Sequence, residues 1–272
     1  MPAQLTFTGI VLKKTKLGET DLIVTFLAQD GSTVQAVARG ARKPKSSFAS
    51  RLELFSCVEL FCASTKGLPL VQEARLLQAH EKLRLDFDRS TAASVIAELV
   101  AKCTYENVAT PRLFELCNSA FTALSRANIQ TLYALALAAC LKVFAFVGVR
   151  PRFSHCVLCG KELIDAGEEE RGNAGAALGQ PETIAFSYLE GGSLCDTCAR
   201  SFEVVREQTN LVKWLNVLLY ATFEQVECYS VPAPVLSFGF HFVQSWTNTH
   251  FGARLKSVPF LLTNASFPAT TC

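Results

Sequence analysis

Half of the 272 residues are hydrophobic and only 18% are charged, enough apolar material for sizeable cores and too much for a disordered chain. The formal net charge of +2 selects no class of partner, so where the charge sits matters more than its sum. A chain of this length suits two compact domains.

Residues 1–80 read as β. Three β-branched runs, Thr6–Lys14, Asp21–Ala28 and Thr33–Gly40, are punctuated by Gly18 and an Asp30-Gly31 turn. Leu52–Ala63 and Leu68–Leu77 supply two more, joined across Thr65-Lys66-Gly67. Five short strands with no room for crossover helices predict a small antiparallel barrel, for which a five-stranded OB-fold has the right strand number and an SH3-like barrel competes.

Residues 81–150 read as a helical bundle. Ser90 or Thr91 is placed to cap a helix whose Val95, Leu99 and Cys103 recur one turn apart. Pro111 opens a second helix with Leu113, Leu116, Ala120 and Leu124 on one face. The third stretch, Leu132–Val149, is long and apolar enough to suggest a membrane span, yet Lys142 lies near its middle. A buried core helix, with no membrane, is the preferred reading. Beyond residue 200, Leu211–Val226 is amphipathic, and Pro232 and Pro234 precede a last helical run, Phe238–Phe251.

Eleven cysteines is a high count for this mass. Met1–Gly9 has neither the basic start nor the apolar run of an export signal, so the chain reads as cytoplasmic and its thiols as reduced. Seven of them, Cys57, Cys62, Cys103, Cys117, Cys140, Cys228 and Cys272, have no ligand-like spacing and most read as small core residues. The other four form two CxxC pairs, Cys156/Cys159 and Cys195/Cys198, 35 residues apart. A CxxC turn presents two sulfurs from one knuckle, and two knuckles make a tetrahedral all-thiolate site for structural Zn2+. Disulfides, a redox pair and an iron–sulfur cluster are weaker alternatives, and four thiolates leave no open position for catalytic water. Phe186 and Tyr188 in an alternating run, followed by Gly191-Gly192, predict a hairpin leading into the second knuckle; Asp165–Pro181 reads as a mobile insertion between the pairs. His155 reads as a neighbour of the site or an alternate ligand.

Charge is concentrated in Val37–Arg51, which carries Arg39, Arg42, Lys43, Lys45 and Arg51 and no acid; Lys13, Lys14 and Lys16 end the first strand. Residues 1–80 hold ten basic and six acidic side chains, a balance of +4 on a small barrel whose rim would meet a phosphate backbone. A merely solvated loop is the bland alternative. Phe48 and Phe55 lie nearby as aromatics able to stack on bases if exposed. No helix reads as a sequence-recognition element.

Four passages in order resemble the bacterial RecO recombination-mediator family: GIVL with GETDLIV and ARGARKPKS near the start, HCVLCGKEL, AFSYLEGGSLCDTC, and HFGARLKSVPFL near the end. The resemblance implies an OB-fold over 1–80 and a helical domain over 81–272 carrying a zinc module at about 153–200, hence an α+β multidomain chain. It also implies binding of single- and double-stranded DNA, strand annealing, and help in loading recombinase onto DNA coated with single-strand-binding protein. The implied partners are RecR and the C-terminal tail of single-strand-binding protein, and the implied location is the nucleoid of a bacterial cytoplasm. By the family's pattern DNA contacts fall on Arg39, Arg42, Lys43 and Lys45, to which charge alone adds Arg51 and Lys14. An acidic tail needs an apolar groove rimmed by cations, for which the helices carrying Arg112, Arg126 and Lys142 are candidates. The chain is expected not to be an enzyme: its four histidines form no HxxxH pair and no phosphate loop is present. A zinc-stabilised protein scaffold without DNA activity is the alternative.

Overall fold

The computed structural model describes residues 4–106, 108–164, 182–265 and 267; the expected insertion at 165–181 and Cys272 lie outside them. By packing, the chain forms two compact units, 1–126 and 127–272.

The first unit is built on five strands: β1 (Gln4–Leu17), β2 (Asp21–Ala28), β3 (Thr33–Ala38), β4 (Cys57–Ala63) and β5 (Leu70–Gln78). The long β1 serves two neighbours. Its first half pairs with β4, from Gln4↔Ala63 to Ile10↔Cys57, and it pairs with β2 from Gly9↔Ala28 to Leu17↔Asp21, with a bulge between Val11 and Lys13. The strands follow the order β1-β2-β3-β5-β4, and β4 returns to β1. The expected antiparallel OB-fold barrel needs correction here. The sheet is mixed, because β3 meets β5 in parallel, and that seam is one bridge, Val37↔Leu70, rather than a ladder. The reason is the return path: β5 enters from the 64–69 turn in the same sense as β3, and only its first residues reach it. The fourth strand is also shorter than predicted. Leu52–Ser56 is turn and loop, with Leu52 and Phe55 buried and Phe55 at φ +70°.

The core of this sheet holds Val11, Val24, Phe26, Ala36, Leu60 and Ala74. β2 does not alternate at its end, since Val24–Ala28 is buried throughout. α2 (Phe87–Cys103) packs across β1 and β2 and covers their second face. That helix starts earlier than the sequence suggested. Asp86 is its N-cap, accepting the Arg89 amide at 2.8 Å, while Thr91 is buried and bonds the Phe87 carbonyl. α1 (Lys82–Leu85) and α3 (Leu113–Arg126) complete the unit, α3 burying Leu113, Cys117, Ala120, Phe121 and Leu124. The helices read as one bundle over 81–150 therefore separate by packing, the first two joining the sheet.

The second unit centres on α4 (Ile129–Phe146), capped by Asn128, whose side chain accepts the Thr131 amide at 2.9 Å. Among the described residues α4 is the one helix long and apolar enough to cross a membrane, and 72% of it is buried inside the protein. α6 (Thr209–Tyr220), α7 (Phe223–Glu227) and α8 (Ala233–Phe251) pack against it, and α9 (Ser257–Asn264) packs on α8. Gly239 of α8 lets the helices close: a β-carbon there would fall 2.3 Å from a Leu137 methyl. Lys142 reaches out of this apolar helix to the Leu219 carbonyl at the end of α6, 2.7 Å away, and burial lowers its pKa to about 8.

Two outcomes follow from this packing. Gly31 has φ +81°, and a β-carbon on it would lie 1.9 Å from the Thr110 carbonyl oxygen, so Gly31→Ala should cost about 2–3 kcal/mol in urea unfolding. An unchanged midpoint would show that Thr110 does not lie against Gly31 in the β2–β3 turn. For Lys142 the sign follows from proton binding. Between pH about 8 and the unfolded value of about 10.4, the unfolded chain keeps a proton that the folded chain has released. Wild-type stability should therefore rise with pH across that window relative to Lys142→Met, which denaturation at pH 7.5 and pH 10 would measure; a pH-independent difference contradicts a desolvated ammonium.

Candidate metal centre and basic edge

The two CxxC pairs lie on separate segments of the second unit, and backbone pairing joins those segments. Arg152 donates its amide to the Gly191 carbonyl at 3.0 Å, and Ser193 returns its amide to the Arg152 carbonyl at 2.8 Å. Val157 then bonds the Ser193 carbonyl at 2.9 Å, and the Ser193 hydroxyl bonds the Phe153 carbonyl at 2.8 Å. Gly192 permits this contact, since a β-carbon there would lie 2.2 Å from the Arg152 oxygen.

Each knuckle has its own local logic. In the first, the Cys156 amide bonds the Lys161 carbonyl at 2.8 Å and the Gly160 amide bonds the Cys156 carbonyl at 3.0 Å, with Gly160 at φ +74° to turn the chain back. His155 and Glu162 form the bridge at its base, and the exposed His155 ring bonds the Ser154 hydroxyl rather than joining the thiols. The second knuckle is a helix start: Cys195 is the N-cap of α5 (Asp196–Ala199). The predicted hairpin feeds it. β6 (Thr183–Ser187) pairs with β7 (Gly192–Leu194), and β8 (Val205–Gln208) adds a third strand on the other side of β6. A small apolar cluster of Ala185, Leu194 and Ala199 lies beneath the sulfurs.

The four ligand atoms all lie within 4.8 Å of one another, with Cys159 Sγ and Cys195 Sγ 3.8 Å apart. A tetrahedron with metal–sulfur bonds of about 2.3 Å has edges of about 3.8 Å, so this cluster is the right size for one ion. Cys156 and Cys195 are buried, Cys198 is half-buried and Cys159 is exposed. Burial alone would raise the Cys156 thiol. The amides of Cys159, Cys195 and Leu158 and the Cys159 thiol outweigh it and bring its pKa to about 6. The Cys198 amide likewise lowers Cys195, against burial. Cys198 is pushed up to about 12, first by its hydrogen bond with Cys195 and then by burial. Each knuckle thus has amide donors that favour one thiolate, and a soft divalent cation is the group that lets all four sulfurs ionise together. The donor set fits zinc.

The remaining cysteines behave differently. Burial raises Cys57, raises Cys62 to about 11, and raises Cys103 and Cys117 to about 12, so these four are packing thiols. Cys140 is also buried, and Cys228 is exposed on α7's end. The module is fastened to α8 by aromatic contacts that sequence reading did not foresee. Phe153, Phe186 and Tyr188 meet Phe242 at centroid distances of 5.4–5.6 Å. Trp246 stacks on Phe242 at 5.2 Å and donates its indole N–H to the Val149 carbonyl at 3.0 Å. The sequence signal was present: Phe186 on β6 and Tyr188 just past its end are two apart, while Phe242 and Trp246 are four apart on a helix.

In the first unit, the basic segment is a folded loop between β3 and β4. Arg39, Arg42, Lys43, Lys45 and Arg51 are all exposed. Consecutive turns shape it: Lys43 to Gly40, Ser46 to Lys43, and Leu52 to Phe48 through their main chains. Ala41 and Leu52 enter the sheet core, with Phe48 partly buried against it. Phe55 is fully buried against Phe121, so it is not a base-stacking group. Lys14 differs from the other five, because its ammonium is paired with the Glu53 carboxylate at 2.7 Å.

The loop also has an acidic fastening absent from the sequence reading. The Asp21 carboxylate accepts the Gly40 amide at 2.8 Å and the Thr20 hydroxyl at 2.8 Å. The Gly40 amide and then the Thr20 hydroxyl hold this carboxyl below its ordinary range, against burial, and Arg39 and Lys43 add to the effect. Arg42 is held twice more, by its amide on the Thr20 carbonyl at 2.9 Å and its guanidinium on the Gly18 carbonyl at 3.1 Å. Of the cations considered for an acidic-tail groove, Arg112 and Arg126 are exposed, whereas Lys142 is engaged with Leu219.

Comparison with known proteins agrees with this anatomy. Residues 1–80 match the family model described as Recombination protein O N terminal, and residues 84–259 match Recombination protein O C terminal. The "DNA repair protein RecO" of Syntrophomonas wolfei subsp. wolfei is 30% identical over 222 residues, covering 80% of this chain and 81% of the relative. That of Desulfatibacillum aliphaticivorans is 28% identical over 268 residues, covering 94% of this chain and 96% of the relative. That of Bifidobacterium longum (strain NCC 2705) reaches 34% over 155 residues, 56% of this chain and 64% of the relative. With both halves of the chain matched in order, the chain belongs to the bacterial RecO family.

Proposed function

We propose that this chain is a DNA-binding recombination mediator without catalytic chemistry, acting in DNA repair. Family membership supports the general role, and the exposed, folded basic loop from Arg39 to Arg51 is the observation that carries the DNA-binding part. Annealing requires no activated nucleophile. It requires cations that neutralise two polyanionic strands and exchange fast enough for bases to pair. Arg39, Arg42, Lys43, Lys45 and Arg51 serve as phosphate contacts on a 1–80 nucleic-acid-binding domain; Lys14 contributes through its pair with Glu53 rather than as a free cation. In this reading the chain binds single- and double-stranded DNA, anneals complementary strands and helps load recombinase onto DNA coated with single-strand-binding protein. RecR and the acidic C-terminal tail of single-strand-binding protein are its protein partners, in the nucleoid of a bacterial cytoplasm. The 81–272 domain carries the module at about 153–200, in which Cys156, Cys159, Cys195 and Cys198 hold one structural Zn2+. A bound ion there supplies cross-linking energy to a segment whose own apolar cluster is small.

Binding to a labelled oligonucleotide across a salt series tests the loop. Replacing Arg42, Lys43 and Lys45 together by Ala should weaken binding and reduce the slope of log affinity against log salt by roughly two. An unchanged slope would remove the loop from the interface and favour the scaffold reading. For the metal, elemental analysis should return about one zinc per chain. Cys159→Ser with Cys198→Ser should release it and lower the melting temperature, and metal retained by that double variant would refute the ligand set.

A further inference from the structure

The basic edge contains two carboxylates that simple electrostatics would count against it. Asp21 and Glu53 sit at the two ends of the loop, each tied to it or to its neighbour: Asp21 to the Gly40 amide at 2.8 Å, Glu53 to Lys14 at 2.7 Å. Near a surface meant for a polyanion, a carboxylate repels phosphate and lowers the local positive potential. Of the two, Asp21 makes the more telling contact. A single oxygen, Oδ1, accepts both a main-chain amide and a hydroxyl.

Gly40 is the position where that amide matters. It stands at φ +65°, where the chain leaves β3 and reverses, and its carbonyl accepts the Lys43 amide at 3.0 Å. Two residues on, the Arg42 amide meets the Thr20 carbonyl at 2.9 Å, next to Asp21 in sequence. The tight Thr20-Asp21 corner, where β1 gives way to β2, therefore grips both ends of the Gly40–Arg42 turn. Arg39 lies just before that turn and Arg42 and Lys43 at its far side, so its geometry sets where three of the five exposed cations stand. A loop held in place before its ligand arrives loses less conformational entropy on binding.

We propose that Asp21 is a positioning residue for DNA binding: by clamping the Gly40 amide it holds Arg39, Arg42 and Lys43 in the arrangement that meets the phosphate backbone, and this outweighs the repulsion of its own charge. The proposal rests on the reading of the loop as the DNA surface. It gives the opposite sign from charge counting, in which loss of any carboxylate on this face strengthens binding.

The experiment measures fluorescence anisotropy of a labelled single-stranded oligonucleotide titrated with the full chain at two salt concentrations. Three variants are compared with wild type: Asp21→Ala, Asp21→Asn, and the triple Ala replacement of Arg42, Lys43 and Lys45. Asp21→Ala loses the acceptor and should bind roughly threefold to tenfold more weakly, although the face becomes more positive. Asp21→Asn keeps an oxygen for the Gly40 amide and sheds the charge, so it should bind at least as tightly as wild type. If Asp21→Ala binds as tightly as wild type while the triple variant weakens, the positioning role is wrong and the loop reading stands. If Asp21→Asn is as weak as Asp21→Ala, the acceptor is not what matters and the proposal also fails. A triple variant that binds like wild type overturns the loop reading itself. Should Asp21→Ala not fold, hydrogen exchange decides: the Gly40 amide should be protected in both wild type and Asp21→Asn, and free exchange there in the wild type refutes the clamp.

Discussion

The closeness of Gly192 to the Arg152 carbonyl is the constraint on which the cysteine site depends. No side chain fits between them, and the bonds flanking that contact bring two segments from opposite sides of a long stretch into one small structure. Neither segment has much core of its own: apart from the cysteines, the cluster beneath the sulfurs is Ala185, Leu194 and Ala199 with Val157, Leu163 and Val204 partly buried against them, a limited offset to the entropy of ordering both knuckles. The sulfurs therefore converge because the backbone is zipped, and a bound ion would add cohesion to the apolar cluster. The aromatic plug of Phe153, Phe186, Phe242 and Trp246 supplies the other part, turning a metal-ready knuckle pair into a piece of the second unit's core.

The basic edge solves a different problem. Five exposed cations repel one another, and an untethered loop bearing them would swing outward. Here apolar residues from the loop itself, Ala41 and Leu52, are buried in the sheet, and polar ties at the Thr20-Asp21 corner fix its first turn. The edge is thus a displayed surface on a packed base. Of the two nearby aromatics, Phe55 is fully buried and Phe48 is partly buried against the sheet core.

Polar groups inside the second unit follow the same logic of obligatory partners. Lys142 in the apolar α4 looks anomalous along the sequence, but it reaches a carbonyl at the end of α6 that the helix itself leaves unsatisfied. The buried cysteines are the converse case, small side chains whose thiols burial keeps protonated.

The four clustered thiols, the five strand segments and the grouping of cations were legible along the chain, because cysteine spacing, strand alternation and charge are local properties written residue by residue. The family was legible for the same reason, through short motifs in a fixed order. Three features were decided only by tertiary structure. The parallel β3–β5 seam depends on the path of a distant turn, and strand patterns do not encode which strand lies beside which. The assignment of α2 and α3 to the sheet depends on which apolar face meets which. The contact between Asp21 and Gly40 joins residues 19 apart through one carboxylate, which charge counting does not reveal because it knows the side chain's charge but not its hydrogen-bond partner.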